Sequence, residues 1–247
     1  MALTDKLTNI ADAIRGKTGK TDTLTLDQMA MEITSIETGG SGENPLDYVG
    51  NLQYAFEKAK FESGTDLVIS FGKKAGAINS NALSNTFLEA TGFKSVKISC
   101  DFETVTAVSF QNCFRRNSSD SQLKMIDLSE AVHVLKPTNI GRLLDYRTGL
   151  VEILGEIDMS SCTTTSSAFQ SASSLETIRF KAGTIQKAIS FNVSSKLTGA
   201  TIQNIIDGLA DLTGATAQTL TLHATVGAKL TDAQKASASA KNWTISY

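Results

Sequence analysis

Apolar residues recur at helical spacing in two short stretches near the start of the chain. The first stretch, residues 3–15, carries one apolar stripe, formed by Leu3, Leu7, Ile10 and Ile14. The second stretch, residues 25–36, begins with Thr25 three positions before Gln28, which is the spacing of a capping box. The pattern predicts a helical hairpin over residues 1–37. Isolated helices of this length are marginal in water, so the hairpin needs a partner surface. The sequence does not decide whether that surface belongs to the rest of the chain, to a second copy of the hairpin or to another protein.

A glycine-rich stretch, residues 38–45, follows the predicted hairpin and has the composition of a flexible linker. We therefore place a domain boundary at residue 46 and assign residues 46–247 to one body. At the start of this body the pattern predicts a short helix around residues 52–60 and a strand at residues 66–71.

Beyond residue 90 an apolar spacing recurs in which the second and third apolar residues follow the first by three and five positions. Its five copies are Phe93/Val96/Ile98, Leu123/Ile126/Leu128, Leu154/Ile157/Met159, Leu175/Ile178/Phe180 and, more weakly, Ala217/Leu220/Leu222. Successive copies lie 30, 31, 21 and 42 residues apart, which fits a unit of about 21 residues with insertions and one degenerate copy. A Phe-x-x-small motif also occurs twice, at Phe110–Cys113 and Phe169–Ala172.

One such unit cannot enclose its own apolar side, whereas stacked units form a parallel sheet over a continuous apolar ladder. The repeat therefore predicts a β-solenoid. The end of the chain departs from the repeat, with predicted helices at residues 201–212 and 231–240 and a last strand at residues 243–247. This helix-strand end is suited to cap the terminal unit.

Charge and hydropathy restrict the partners of the chain. With 23 basic and 25 acidic residues the net charge is -2, which gives no electrostatic footprint for nucleic acid or an anionic membrane. No long apolar run is present, and acidic residues interrupt the first residues where a signal peptide needs an apolar stretch. We expect no nucleic-acid partner, no membrane partner, and a soluble product made in the cytosol.

The three cysteines, Cys100, Cys113 and Cys162, are odd in number and form no CxxC pair. This spacing gives little support to a disulfide framework or a zinc site. We expect all three to be small residues of the core.

Two segments resemble known families. Residues 4–36, with the core Ala13-Ile14-Arg15-Gly16-Lys17-Thr18-Gly19 and the later pair Met29-Ala30, resemble the N-terminal segment of tail and baseplate proteins from phages and prophages of Gram-positive bacteria. Residues 168–180 and 217–245 are similar to leucine-rich repeats of the BspA-like kind, although the unit length here is irregular. The expected fold class is α+β: an N-terminal helical hairpin, a linker, then an irregular leucine-rich-repeat-like β-solenoid body with a helix-strand C-terminal cap.

The resemblance implies a virion structural protein of the tail, baseplate or fibre that binds by its surface and is not an enzyme. Its expected partners are other virion proteins, a host cell-surface polymer and further copies of itself, with a trimer as first choice. A head fibre or capsid decoration protein, a bacterial surface adhesin and a polysaccharide-degrading tail enzyme are the alternatives.

Candidate chemistry is sparse. Gly16-Lys17-Thr18 ends like a phosphate-binding loop but lacks the earlier glycine, so a turn between helices is the better interpretation. His133 and His223 have no partner at ligand spacing, which favours surface or packing roles. Carboxylates at Glu152, Glu156 and Asp158 could serve glycoside hydrolysis, but an alternating strand with a solvent face explains them better. We therefore assign no catalytic, cofactor-binding or metal-binding residue, expect no cofactor, and leave the binding residues open.

Overall fold

The computed structural model describes residues 10–11 and 44–247 of the chain. Ten strands follow one another along the second range: β1 Lys60–Phe71, β2 Thr91–Cys100, β3 Thr106–Ser109, β4 Met125–Asp127, β5 Leu135–Asn139, β6 Glu152–Ile157, β7 Thr177–Phe180, β8 Ile189–Phe191, β9 Gln218–Leu222 and β10 Trp243–Ser246. Three α-helices lie near its end: α1 Gly199–Gly208, α2 Ala224–Gly227 and α3 Asp232–Ala240. Two 3₁₀ helices complete the set: η1 Pro45–Tyr48 and η2 Met159–Ser161.

Every strand pair of the described chain is parallel. The largest sheet has five strands in the order β1-β2-β4-β6-β7, and Val96 pairs with Ile126, which in turn pairs with Ile153. A two-stranded sheet joins β3 to β5, and a three-stranded sheet has the order β10-β9-β8. The chain thus returns to the same side of the molecule before each new strand, so that successive passes form stacked layers.

The fold-class prediction is wrong. The described residues form a mostly parallel-sheet α/β fold with three α-helices, and not an α+β fold with a leucine-rich-repeat-like β-solenoid body. The parallel pairing expected of stacked units is present, but the α+β class does not fit it, because that class keeps helices apart from an antiparallel sheet, whereas these strands are parallel and joined by crossover connections. No N-terminal helical hairpin is shown. Ile10 and Ala11 are helical, but the rest of the predicted hairpin, the Gly16-Lys17-Thr18 string and most of the linker lie outside the described residues.

Between strands the chain runs through turn segments that bond sideways to one another. These segments are residues 53–58, 80–89, 111–114, 141–146 and 166–171. In the first of them the N–H groups of Tyr54 and Phe56 donate to the carbonyls of Ser84 and Thr86 in the next. The helix predicted at residues 52–60 is therefore wrong, because alternate amides bond to the neighbouring layer and those between them bond to carbonyls three residues earlier, not four.

The predicted repeat units fall on strands, but their register differs. In β6 the inward residues are Ile153 and Ile157, while Leu154 is only partly buried. A bulge containing Gly155, whose φ is +104°, shifts the register there. The copy predicted at residues 217–222 falls on β9, Gln218–Leu222, which belongs to the separate three-stranded sheet, and Ala217 lies just before this strand. The two Phe-x-x-small motifs do not correspond, because the backbone ladder places Phe114, and not Phe110, in line with Leu144 and Phe169.

Asparagine side chains meet the backbone at both edges of the five-stranded sheet. At the β1 edge Asn44 Nδ2 donates to the carbonyl of Ser70 at 2.9 Å. At the β7 edge Asn204 of α1 accepts from the N–H of Phe180 at 2.7 Å and donates to its carbonyl at 3.2 Å. Each asparagine satisfies backbone groups that an unpaired edge would expose.

The C-terminal elements were predicted in the right places. Helix α1 begins after Thr198, which caps it, and ends at Gly208, somewhat before the predicted end. Helix α3 has the full capping box of Thr231 with Gln234, and β10 is the predicted last strand. Lys241 Nζ donates to the carbonyls of Ile206 and Asp207 at 3.1 and 3.3 Å, where the α1 dipole is negative.

The interior is one continuous apolar cluster with stacked phenylalanines. Phe56, Phe87 and Phe114 stack in adjacent layers with ring centroids 5.0 and 5.4 Å apart, and Phe169 stacks on Phe191 at 4.5 Å. Cys100, Cys113 and Cys162 are buried and free, which confirms the prediction that they are core residues. Burial raises the pKa of the Cys113 thiol to about 12.

A buried arginine joins three layers. Arg147 has no exposed surface, and its guanidinium forms an ion pair with Asp120. It also donates to the carbonyls of Phe114 and Ala90, and its centre lies 5.2 Å from the Phe93 ring. Burial lowers the pKa of Arg147 to about 10, although Asp120 opposes this shift. Because its partners come from different passes of the chain, this side chain fixes their relative positions.

Close backbone approach between layers makes Gly149 a sensitive position. A Cβ at Gly149 would overlap the backbone of Ser121, whereas nothing lies within 4 Å of a Cβ at Gly76. We expect Gly149→Ala to lower the free energy of unfolding by about 1–3 kcal/mol, since the two layers must separate. Urea unfolding measures this loss. Equal stability of Gly149→Ala and the control Gly76→Ala would contradict the packing described here.

Replacement of Arg147 tests the buried ion pair. Arg147→Met introduces an apolar side chain of similar length and leaves Asp120 and the carbonyls of Phe114 and Ala90 without their donor. We expect the free energy of unfolding to fall by about 3–5 kcal/mol, the usual cost of an uncompensated buried charge. The control is Arg179→Met, whose guanidinium is exposed and 4.0 Å from Glu156; its effect should stay below about 1 kcal/mol.

Candidate functional site

The turn segments present two columns of side chains on one surface, which we call the turn face. In the first column every residue has a positive φ: Tyr54, Asn85, Asn112, Arg142 and Ser167. The second column lies four positions later and consists of Lys58, Glu89, Arg116, Tyr146 and Ser171. Within the first column each N–H donates to the carbonyl just before the next member, as in Asn112 N to Gly141 O at 3.0 Å. This sideways ladder holds the columns in register.

The local sequence explains the columns. Two positions after each first-column residue stands a large apolar residue that points into the core: Phe56, Phe87, Phe114, Leu144 and Phe169. The column residues lie towards the surface, except that Asn85 is buried, and asparagine and serine are common at these positions. Asparagine tolerates the left-handed region better than most residues. Asn112 Nδ2 also donates to Asn85 Oδ1 at 3.0 Å, which links two layers of the column.

The middle of the turn face is rich in arginine. Arg115 Nε lies 3.8 Å from the Asp145 carboxylate, and Arg142 is close enough to act on the same group. Burial raises the pKa of Asp145, and the two arginines and the N–H of Tyr146 only partly oppose this shift. The carboxylate is thus poorly solvated and incompletely compensated.

Two exposed side chains flank this group. Arg142 is exposed, and no hydrogen bond or ion pair from the described part of the chain engages its guanidinium. Tyr146 is 36 % exposed and lies in the second column of the same turn segment. Arg116 is half-buried, and its Nη1 donates to the carbonyl of Glu89 at 2.9 Å.

Buried polar atoms without a hydrogen-bond partner concentrate at the same place. Among the described residues they belong to Thr86, Glu89, Asn112, Arg115, Arg116 and Asp145. The Thr86 hydroxyl faces the Cys113 thiol, which is a weak partner. The other five atoms lie in three adjacent layers of the turn face. Since buried polar groups are normally paired, this concentration requires an explanation.

The outward side of the five-stranded sheet is the other large surface, and its polar groups pair among themselves. Ser95 Oγ donates to Asp66 at 2.5 Å, and Glu130 accepts from Lys97 at 2.7 Å and from Ser99 at 2.8 Å. Hydrogen bonds from Lys97 and Ser99 hold the pKa of Glu130 below its usual range. Among the described residues, no buried unpaired polar atom lies on the outward side of this sheet, in contrast to the turn face.

The histidines lie apart from both surfaces. His133 is exposed between β4 and β5. His223 is the N-cap of α2, where its Nδ1 accepts from the N–H of Thr225 at 3.2 Å. No group of residues suited to hold a metal ion is found in the described ranges. No helix within those ranges is long and apolar enough to cross a membrane.

The three singled-out carboxylates separate into two environments. Glu152 and Glu156 lie on the outward side of β6, as expected of an alternating strand. Asp158 does not: it is 5 % exposed, caps η2 through Ser160, and lies 3.2 Å from Lys136 Nζ and 3.1 Å from Lys181 Nζ. Asp158 thus ties together β5, η2 and the end of β7.

The turn-face residues were not assigned from the sequence. The sequence does contain a signal for them, a four-residue motif that recurs at residues 84–87, 111–114 and 166–169. The motif consists of a polar residue, asparagine or serine, a small residue and phenylalanine. The Phe-x-x-small alignment hid this motif, because it aligned Phe110 with Phe169, whereas the equivalent residue, Phe114, lies four positions later. The neighbourhood of Arg115 and Asp145 has no local signal, since only the stacking of layers brings them together.

The Asp158 cluster makes stability depend on pH. Burial alone would raise the pKa of Asp158, but hydrogen bonds from Ser160, Lys181 and Lys136 hold it well below its usual range. A carboxylate with a depressed folded-state pKa stabilises the fold above its unfolded value of about 4, and this contribution is lost as the pH falls below it. We expect Asp158→Asn to lower the free energy of unfolding by about 1–3 kcal/mol at pH 7. Urea unfolding should show the difference from the natural chain shrinking towards pH 3. A difference that is independent of pH, or an equal loss in the exposed control Glu156→Gln, would contradict this account.

Comparisons with protein-family models, with curated proteins and with solved structures give no match to this chain.

Proposed function

We propose that this chain is a bacteriophage virion structural protein, a tail, baseplate or fibre component that mediates attachment by surface binding. The observation that carries the proposal is the resemblance of residues 4–36 to the N-terminal segment of tail and baseplate proteins. In this proposal residues 1–37 attach the chain to the particle or to further copies, and residues 46–247 contact a host surface polymer or another virion protein.

The geometry of the described residues is compatible with binding by an extended surface. Layers stacked in parallel repeat the same outward positions at regular spacing, so one surface can contact several units of a polymer. The turn face carries aromatic, amide and arginine side chains, which suit hydrogen bonding to sugars and polyols. In this proposal the chain binds and does not catalyse.

A head fibre or capsid decoration protein is the second candidate, because an attachment segment serves either position in a particle. A bacterial surface adhesin is the third candidate. A polysaccharide-degrading tail enzyme is the least favoured, since Asp158 is engaged by two lysines and does not share the solvent face of Glu152 and Glu156.

Particle composition tests the proposal. We expect the chain in phage or phage-like particles purified from the producing bacterium, identified by peptide mass spectrometry. Gold-labelled antibody should mark the tail end in electron micrographs. Label on the head would favour the decoration protein, and presence on the cell wall with absence from particles would favour the adhesin and overturn the proposal.

Symmetry of tails and baseplates favours a homo-oligomer, with a trimer as first choice. Light scattering on the full chain should give a mass about three times the 26.3 kDa of one chain. A 26.3 kDa mass at all concentrations would contradict self-association.

A further inference from the structure

We propose that the middle of the turn face is a binding site for an acidic polyol or sugar, a ligand with both an oxyanion and hydroxyl groups. We call this site the arginine patch. It consists of Asn112, Arg115, Arg116, Arg142, Asp145 and Tyr146. The proposal rests on the proposed function, for which it names the chemistry of the bound polymer.

The unused hydrogen-bonding groups of the patch define the ligand. Two of them are cationic donors, Arg115 Nε and Arg116 Nε. Two are acceptors, Asn112 Oδ1 and Asp145 Oδ1. A neutral sugar leaves Arg116 and Arg142 without an anionic partner, and a bare oxyanion leaves the acceptors without a donor. A ligand that carries both an oxyanion and hydroxyls satisfies both sets.

The exposed side chains provide access. Arg142 offers a free guanidinium at the surface, whose planar fork matches the geometry of a phosphate or carboxylate. Tyr146 is partly exposed in the same turn segment and offers a hydroxyl beside it. Arg115 is half-buried, and its Nη2 donates to Asn117 Oδ1 at 2.9 Å in an exposed contact.

Internal water is the alternative occupant of these groups, because ordered waters commonly pair with buried polar atoms. Water explains the buried acceptors, but it does not explain an exposed Arg142 beside a second arginine. The charge balance also favours an anion. Arg115, Arg116 and Arg142 are three cations against two carboxylates, those of Asp145 and Glu89, while Arg147 pairs with Asp120.

The experiment is a titration of the full chain, with ¹⁵N label, followed by NMR of the backbone amides and arginine Nε–Hε groups. The probes are glycerol 1-phosphate and glucuronate, with glycerol and glucose as neutral probes of similar shape. We expect saturable shifts at Arg115, Arg142 and Tyr146 with at least one acidic probe, and none with the neutral ones. A response to glycerol 1-phosphate alone assigns a phosphate ligand, and a response to glucuronate alone assigns a carboxylate.

Two variants change the affinity in opposite directions. Arg142→Gln removes a charged donor and should weaken binding at least tenfold. Asp145→Asn keeps the shape of the side chain but removes the competing negative charge, so it should tighten binding about threefold or more. A merely structural role for Asp145 cannot give this gain. The matched control is Arg179→Gln on the sheet surface, which removes the same charge and should leave the affinity unchanged.

Absence of saturable binding by both acidic probes would overturn the arginine patch. So would an equal effect of Arg142→Gln and Arg179→Gln, which would show only the net charge of the protein. Either result leaves the virion proposal to stand on particle composition. Conversely, specific binding by a chain that is absent from particles would keep the patch and remove the virion proposal.

Discussion

The structure depends on one constraint: about half of the backbone groups of each turn segment are satisfied only by the next layer. A helix pairs its own N–H and C=O groups, whereas in these turn segments N–H groups that bond within the segment alternate with N–H groups that bond to the next layer. Tyr54, Asn85 and Asn112 each donate to a carbonyl of the following pass, and the parallel strands impose the same condition on the opposite wall. A layer is therefore incomplete without its neighbours, and changes in one layer, such as added bulk at Gly149, are transmitted to the next.

Arg147 extends the same dependence into the core. The stacked phenylalanines give way to Leu144 in its layer, and the guanidinium of Arg147 takes carbonyls from two earlier passes as partners. A buried ion pair is seldom the most stable filling of such a space, and hydrophobic replacements of both partners are often better tolerated. The role of Arg147 is to fix the relative positions of the layers. Its donors reach the carbonyls of Phe114 and Ala90 together only when three layers are correctly stacked.

Local periodicity was sufficient for some elements and misleading for others. The strand predicted at residues 66–71, the two C-terminal helices and the last strand are present, because each depends on its own apolar spacing and caps. The helix predicted around residue 56 is wrong, because Leu52 and Phe56 also have helical spacing in a turn segment that bonds sideways. The repeat predicted parallel stacking, but the α+β class is wrong because that class has mainly antiparallel strands, whereas every described strand pair is parallel. The arginine patch was missed because Arg115 and Asp145 meet only through stacking.

The stacked architecture separates the residues that hold the fold from those that can bind. In each turn segment the position two after the column residue is fixed by the apolar interior, and the backbone ladder needs no particular side chain in the columns. Column residues are therefore free to differ from layer to layer, as Tyr54, Asn112 and Arg142 do. A column that only tolerated the left-handed backbone would be filled by glycine and asparagine, which adopt it at least cost. Arg142 and Tyr146 carry that cost at exposed positions, and the proposed arginine patch gives them a role that the backbone ladder does not require.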